Sequence, residues 1–419
     1  MTRNNGGAPA PAGGPEGARP LIIATILREE GTTGVQTHVR QLRRYLRDDG
    51  TEAELVTPFS WGGPVTKGMF GLRLALERVS RPASVLWYRH WHEVFLRQAL
   101  RRRLAEAGDC VVYAQCPLSA RAALRARRGP HQRVVMAVHF RISQADEWAD
   151  KGEISHDGAV FRGIRRLERQ VIPRADGLVY VSRWARNALL GWLPQAAAVP
   201  DAVIDNFVTP HSVAQTVPQL DAHPAGTIRE PVGDLVTTGG LEPVKNHRFL
   251  LEVLARARQA GHALTLDMFG EGPLRPELER QARELDLTGQ VRFRGFRSDL
   301  RDFLPGYRAY VHASYSESSS LAIIEAMAAG LPIVAGNIGP IAELCDDGAE
   351  ARFWPLDDPD RAAAILVRLL DSEPERLAAA SAATARFHRD FDADVIAPRL
   401  RSFLMGTTPP ASEEVLLHR

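Results

Sequence analysis

The sequence predicts an α/β protein made of two Rossmann-like, doubly wound parallel-sheet domains that face one another across a cleft. Three observations lead to this. The chain has 419 residues, more than one ordinary domain of roughly 100–200 residues holds. Its apolar fraction of 45% suffices for two cores and restricts disorder to the ends. Short apolar runs alternate with amphipathic stretches of helical length, the pattern of a parallel sheet with crossover helices, and the pattern stops once, in mid-chain.

Element by element, residues 1–19 are rich in Gly, Pro and Ala and lack an apolar core segment, so they are expected to be a flexible tail and not a signal peptide. A first domain is expected over 20–210, with strands at 21–26, 53–56, 111–114, 134–138, 177–181 and 202–204. Its helices include 35–47, 93–104 and 163–171. Residues 211–232, Pro-, Thr- and Ala-rich without a period, read as a linker. The second domain, 233–388, repeats the scheme with strands at 234–238, 263–269, 291–294, 309–313 and 332–335. Its helices include 247–259, 276–285 and 321–329. A terminal helix over 389–405 could pack back on the first domain, and 406–419 form a tail. In such folds ligands bind at the carboxyl ends of the strands.

Composition excludes several functions. A net charge of +2 supplies no domain-wide basic excess to displace counterions from a nucleic acid. Cys110, Cys116 and Cys345 form neither a disulfide framework nor a metal-ligand spacing, which suits a reducing, cytoplasmic compartment. No apolar run reaches the 18 residues or so of a membrane span. Only three lysines, Lys67, Lys151 and Lys245, stand among 52 basic residues, so a lysine at a motif position is informative.

The sharpest motif is S-E-S-S-S-L-A-I-I-E-A-M-A-A-G-L-P, residues 316–332. Glu317 follows a strand, and Glu325 comes eight positions later inside a helix. Ser318, Ser319 and Ser320 offer an N-cap, while Gly330 and Pro332 close the helix. Small residues at a helix start expose backbone N–H groups and the positive end of a dipole, which is an anion site. Glu325 beside such a site suits neutral sugar hydroxyls. The plain alternative is an early-helix acid complementing the dipole.

Other runs fall in order around this one. They are G-G-L-E-P-V-K-N (239–246), F-G-E-G-P (269–273), V-R-F-R-G-F (291–296) and G-P-I-A-E (339–343). Earlier come T-G-V-Q-T-H-V (33–39), A-V-H-F (137–140) and I-D-N-F-V (204–208). Together they resemble the retaining, GT-B fold glycosyltransferases of family 4 (glycosyl transferases group 1), whose E-x7-E element matches Glu317 and Glu325. The resemblance runs from about Leu21 to Phe403 and is more specific in the second half.

The resemblance implies roles. Glu325 would bind the ribose of a nucleotide-sugar donor, and Glu317 would hold hydroxyls of the transferred sugar. Lys245 would neutralise the leaving diphosphate, and Gly34 would let the first loop approach it. His139 would face the reacting sugar from the first domain. Phe296 would lie beside the base. Gly240, Gly270, Ser318, Ser319, Ser320 and Leu321 complete the donor-binding set. No metal and no cofactor are implied, the nucleotide-sugar being a substrate. In a retaining, front-face displacement the leaving phosphate oxygen takes the acceptor proton itself. The implied enzyme is a hexosyltransferase of class EC 2.4, with a UDP- or GDP-linked donor and an acceptor such as a lipid-linked glycan, a polysaccharide or a small molecule.

Two positions depart from the family pattern. Gly240 stands where the family has arginine, which removes one cation from the diphosphate; Arg248 and Arg275 are the nearby candidates to replace it. Ser318-Ser319-Ser320 replaces a glycine-rich G-F-G, and serine hydroxyls can donate to phosphate. The first departure keeps open a catalytically weak nucleotide-sugar binder, and the shared build keeps open a sugar-nucleotide epimerase.

Other features bear on metals and membranes. Asp390, Asp392 and Asp394 have D-x-D spacing but precede a helix, where an aspartate N-cap is the simpler role. His90 and His92 have H-x-H spacing without further ligands nearby. Glu343 is either a site residue or a helix-start acid. The stretch 87–103, with Trp87, Tyr88, Trp91, Arg97 and Arg101 to Arg103, could touch an anionic membrane surface or form a solvated helix face.

Overall fold

All ten strand pairings in this computed structural model are parallel, and they form two separate six-stranded sheets. The structure describes residues 19–31, 33–51, 53–62, 64–209 and 232–407. The expected N-terminal tail up to residue 18, the linker up to residue 231 and the end of the C-terminal tail lie outside the described residues.

The front sheet contains β1 (Leu21–Ala24), β2 (Ala53–Val56), β3 (Cys110–Ala114), β4 (Gln132–Val138), β5 (Gly177–Tyr180) and β6 (Asp201–Val203), in the order β2-β1-β3-β4-β5-β6. The rear sheet contains β7 (Gly233–Thr238), β8 (Leu266–Phe269), β9 (Val291–Gly295), β10 (Tyr307–His312), β11 (Ile333–Gly336) and β12 (Ala351–Trp354), in the order β12-β11-β10-β7-β8-β9. Helices cover both faces, so central strands read as unbroken apolar runs; Val134 to Val138 of β4 are fully buried. Strand order reverses between β1 and β3 in front and between β7 and β10 behind. Those two switch points are where a doubly wound sheet opens a crevice for ligands.

The structure differs from the sequence reading at three places. β12 was not expected because Arg352 and Phe353 are half-buried at the sheet edge, so A-R-F-W shows no apolar run. The expected helix 93–104 extends over Arg81–Glu106, since the Ser80 hydroxyl accepts from the Ala83 N–H and Pro82 occupies the first turn. A preceding helix, Pro64–Val79, was also not anticipated.

The rear sheet is clamped by the helix Glu373–Asp390, whose Ala383 and Phe387 join its core. The chain then crosses to the front sheet, where the helix Ala393–Met405 buries Ile396, Ala397, Leu400 and Leu404 against Leu21, Val39 and Leu42. Asp392 caps this helix by accepting from the Asp394 N–H. Among the described residues no helix is long and apolar enough to cross a membrane.

Candidate active site

The rear switch point brings together the turns after β7 and β10. After β7, Gly239 to Lys245 lead into the helix His247–Gln259, and Asn246 enters it in the left-handed region with φ 52°. After β10, residues 313–320 lead into the helix Leu321–Ala328. The backbone joins the two turns, for the Tyr315 N–H donates to the Val244 carbonyl at 2.9 Å. Their side chains meet in a buried cluster. The Lys245 ammonium donates to Glu317 Oε1 at 2.6 Å, and His312 Nε2 lies 3.0 Å from the same oxygen. Burial alone would push the Glu317 carboxyl up, but Lys245 and His312 overcome it and hold it at about 2. Glu317 is therefore a carboxylate at any working pH. Its stabilising contribution is complete above the ordinary carboxylate range and is lost only as pH falls towards 2.

One helical turn on, Glu325 is held by Arg301, whose Nε and Nη2 reach Oε1 at 3.0 and 2.5 Å. The two glutamates share a design. Each spends Oε1 on protein cations, and neither Oε2 has a hydrogen-bond partner among the described residues. Three buried polar atoms around them also lack a partner: Asn246 Nδ2, His247 Nδ1 and Ser319 Oγ. Burial, with His312 and Lys245 adding, pushes His247 down to about 3, so it is neutral. Such atoms are available to hydrogen-bond water or a polar ligand.

The expected N-cap is only partly realised. Ser320 occupies the cap position of the helix Leu321–Ala328 without a side-chain cap bond. Ser318 turns its hydroxyl to the front lobe, donating to the His139 carbonyl at 2.6 Å, while its own carbonyl accepts from the Ser182 hydroxyl at 2.6 Å. Arg141 Nη1 donates to Ser316 Oγ at 2.7 Å, and Glu343 accepts the Arg183 N–H at 2.8 Å. Trp184 packs so close to Gly339 that a Cβ there would sit 2.3 Å from the ring. The loop carrying Glu317 is thus shared between the lobes.

The front-lobe residues face this loop. His139 follows β4 and is half-buried. Burial, with His38 beside it, depresses its basicity well below the ordinary histidine range. Gly34 begins the helix Gly34–Asp48 after a Thr33 capping box, and a Cβ there would be 3.9 Å from Leu321. The remaining glycines differ in kind. Gly270 has φ 141°, and a Cβ on it would overlap the Gly239 carbonyl at 1.9 Å, so only glycine fits. Gly240 is less constrained, its nearest neighbour being Glu242 at 3.5 Å. Phe296 follows β9 and is 52% exposed, so its ring offers a flat apolar face to solvent.

Neither proposed replacement for the missing cation is free. Arg248 pairs with Glu277, and Arg275 with Glu271 and Glu279. Asp392 serves as the helix cap described above. His92 packs against Tyr88 and Phe70, with Nδ1 2.8 Å from the Tyr88 carbonyl, and is pushed down to about 4, chiefly by burial. Among the described residues no three His, Cys, Asp or Glu side chains are grouped to hold a metal. Within 87–103 Trp87 donates to the Met69 carbonyl and Trp91 stacks on Phe95, both half-buried, while His90 is exposed. Among the described residues, large apolar side chains exposed in this region are Leu72, Val79 and Leu86.

Sequence reasoning missed His312, Arg301, Arg141 and Gln115. His312 ends a strand five residues before Glu317 and was locally visible. Arg301 lies 24 residues from Glu325 and only tertiary packing brings it there.

Comparison with known proteins bears on the family and the fold. Residues 33–201 match the glycosyl transferase 4-like domain, and residues 233–372 match glycosyl transferases group 1. The phosphatidyl-myo-inositol mannosyltransferase of Mycolicibacterium smegmatis is 28% identical over 88% of this chain and 88% of its own. The glycogen synthase of Mycobacterium tuberculosis is 31% identical over 57% of this chain and 56% of its own. Among solved structures, HepE of Anabaena in complex with UDP-glucose superposes with TM-score 0.66 at 18% identity, covering 92% of this chain and 100% of that one. TarM of S. aureus gives 0.58 at 16% identity, with 74% and 59% covered. The chain belongs to the GT-B glycosyltransferases of the family-4 type and is a hexosyltransferase of class EC 2.4.

Proposed function

We propose that this enzyme moves a hexose from a UDP- or GDP-sugar to an acceptor on the front lobe, with retention of configuration and without a divalent metal. The carrying observation is the pair of glutamates, each with one oxygen locked by a cation and the other open, beside three orphaned polar atoms. Ionised Oε2 atoms accept from hydroxyls, which suits a sugar at Glu317 and a ribose at Glu325. In the reaction the acceptor oxygen bonds to the anomeric carbon as the bond from that carbon to the phosphate oxygen breaks. The electron pair passes to the diphosphate, whose oxygen takes the acceptor proton. Lys245 and the amides at the start of the helix Leu321–Ala328 stabilise the departing charge.

HepE binds UDP-glucose and the mycobacterial relative is a mannosyltransferase, which supports a nucleotide-sugar donor for this chain. The acceptor would enter the open cleft of about 880 Å³ over the carboxyl ends of β1 and β2, lined by Arg28, Glu29, Thr57, Phe59 and Phe70. For a lipid-linked acceptor, peripheral membrane contact would fall to Leu72, Val79 and Leu86 on the helices Pro64–Val79 and Arg81–Glu106.

The test is turnover of a panel of UDP- and GDP-sugars with candidate acceptors in excess chelator. Transfer with the anomeric configuration kept is the expected result. Loss in chelator restored by manganese, or an inverted product, contradicts the mechanism. Nucleotide binding without transfer to any acceptor would favour the silent binder that Gly240 suggests. Epimerised sugar from donor alone would favour an epimerase.

A further inference from the structure

The end of β3 holds a polar side chain with no place in the mechanism above. Gln115 is 2% exposed, and its backbone N–H donates to the Ala24 carbonyl at 2.9 Å. Its side-chain Nε2 donates to the Tyr113 carbonyl at 3.3 Å, and its Oε1 lies 2.9 Å from His139 Nε2. The Tyr113 carbonyl orients the amide. Rotating it by half a turn would set the amide oxygen against the Tyr113 carbonyl oxygen and lose that bond. An amide oxygen only accepts, so His139 Nε2 must carry the hydrogen.

We infer that Gln115 is a positioning residue that locks His139 in its Nε2–H form, so that the ring presents Nδ1 as a bare acceptor to a donor-sugar hydroxyl. Among the described residues Nδ1 has no hydrogen-bond partner, and it is not among the buried unpartnered atoms, so it keeps contact with the solvent side. Among the described residues the titratable group facing the ring is His38, from the helix Gly34–Asp48, whose ring centroid is 4.9 Å away. Gln115, and Ser318 from the rear lobe, are uncharged. His38 is itself pushed down to about 4, by burial against the pull of an Asn206 hydrogen bond, so both rings are neutral at pH 7. A ring in this state accepts from a hydroxyl and neither protonates the leaving diphosphate nor pairs with it. The consequence is specificity for a donor sugar with a hydroxyl at that position.

This inference rests on the sugar-transfer reading, and the experiment separates the two. Nitrogen-15 spectra of histidine-labelled enzyme are recorded at pH 7 without ligand, His139 being assigned by difference from His139→Asn. The wild-type ring is expected to show a protonated Nε2 and a bare Nδ1, and Gln115→Met to show a tautomer mixture. An Nδ1–H ring or an imidazolium in the wild type, or an unchanged spectrum in Gln115→Met, overturns the inference. In turnover assays Gln115→Met should lose about tenfold in kcat/KM for the donor, the worth of one hydrogen bond. Gln115→Glu keeps an acceptor but adds a charge that favours imidazolium, so its activity should fail on the acid side at least one pH unit above wild type. An acid limb that does not move overturns the inference. Absence of transfer from every nucleotide-sugar would strike the sugar-transfer reading alone, because the ring spectra need no substrate.

Discussion

At the scale of single residues, the two glycines flanking the donor turns predict opposite outcomes. A Cβ at Gly270 would overlap the Gly239 carbonyl, whereas one at Gly240 meets only Glu242 at ordinary contact distance. Gly270→Ala should lower stability by about 2–3 kcal/mol in chemical denaturation, combining overpacking with a strained φ. Gly240→Ala should stay within about 0.5 kcal/mol of wild type. Equal losses would mean that the turns after β7 and β8 do not cross as described. The site was legible in part at this scale. Glu317, Glu325 and Lys245 were visible because the chain is arginine-rich and the glutamates flank a helix start. Their partners were not. Arg301 lies 24 residues from Glu325 and Gln115 lies 24 from His139; the first contact joins two helices and the second the ends of neighbouring strands, and no local spacing encodes either.

At the scale of elements, caps decided what the periodicity left open. The D-x-D run near the chain end becomes a helix start because the Asp392 side chain accepts from the Asp394 N–H. That helix carries Leu400 and Leu404 onto the front sheet. Asp392→Ala should cost about 1 kcal/mol of stability, the usual worth of an N-cap, with no protection of the wild type by manganese or magnesium. A metal-dependent melting midpoint would instead make the run a cation site. Central strands were readable as apolar runs because helices bury both of their faces. β12 was not, because it lies at an edge with a half-exposed Arg352. The triple serine was read as a cap. Its first hydroxyl is instead spent between the lobes, a choice made by the position of β4 and not by the local sequence.

At the scale of the whole molecule, each lobe is incomplete as a site. At the rear switch point two carboxylates are matched by two cations, Glu317 with Lys245 and Glu325 with Arg301, so these pairs begin close to neutral. Charge released on a departing diphosphate must then draw on Lys245, on helix-start amides and on whatever the front lobe brings to the Ser316–Ser320 loop. Where the lobes meet at that loop, exclusion of water would strengthen those interactions in the lower dielectric. The front lobe contributes an oriented neutral histidine and, on the proposed function, the cleft lined by Arg28, Thr57 and Phe59 that an acceptor would enter. The central claim is that Lys245 carries the leaving charge while Glu325 carries the nucleotide. It is tested most directly by steady-state nucleotide-sugar turnover of Lys245→Ala and Glu325→Ala, with melting curves confirming that both variants fold. The account predicts a loss of about 10²–10³ in kcat for Lys245→Ala and a raised KM for Glu325→Ala. Near-normal turnover in both folded variants would contradict it.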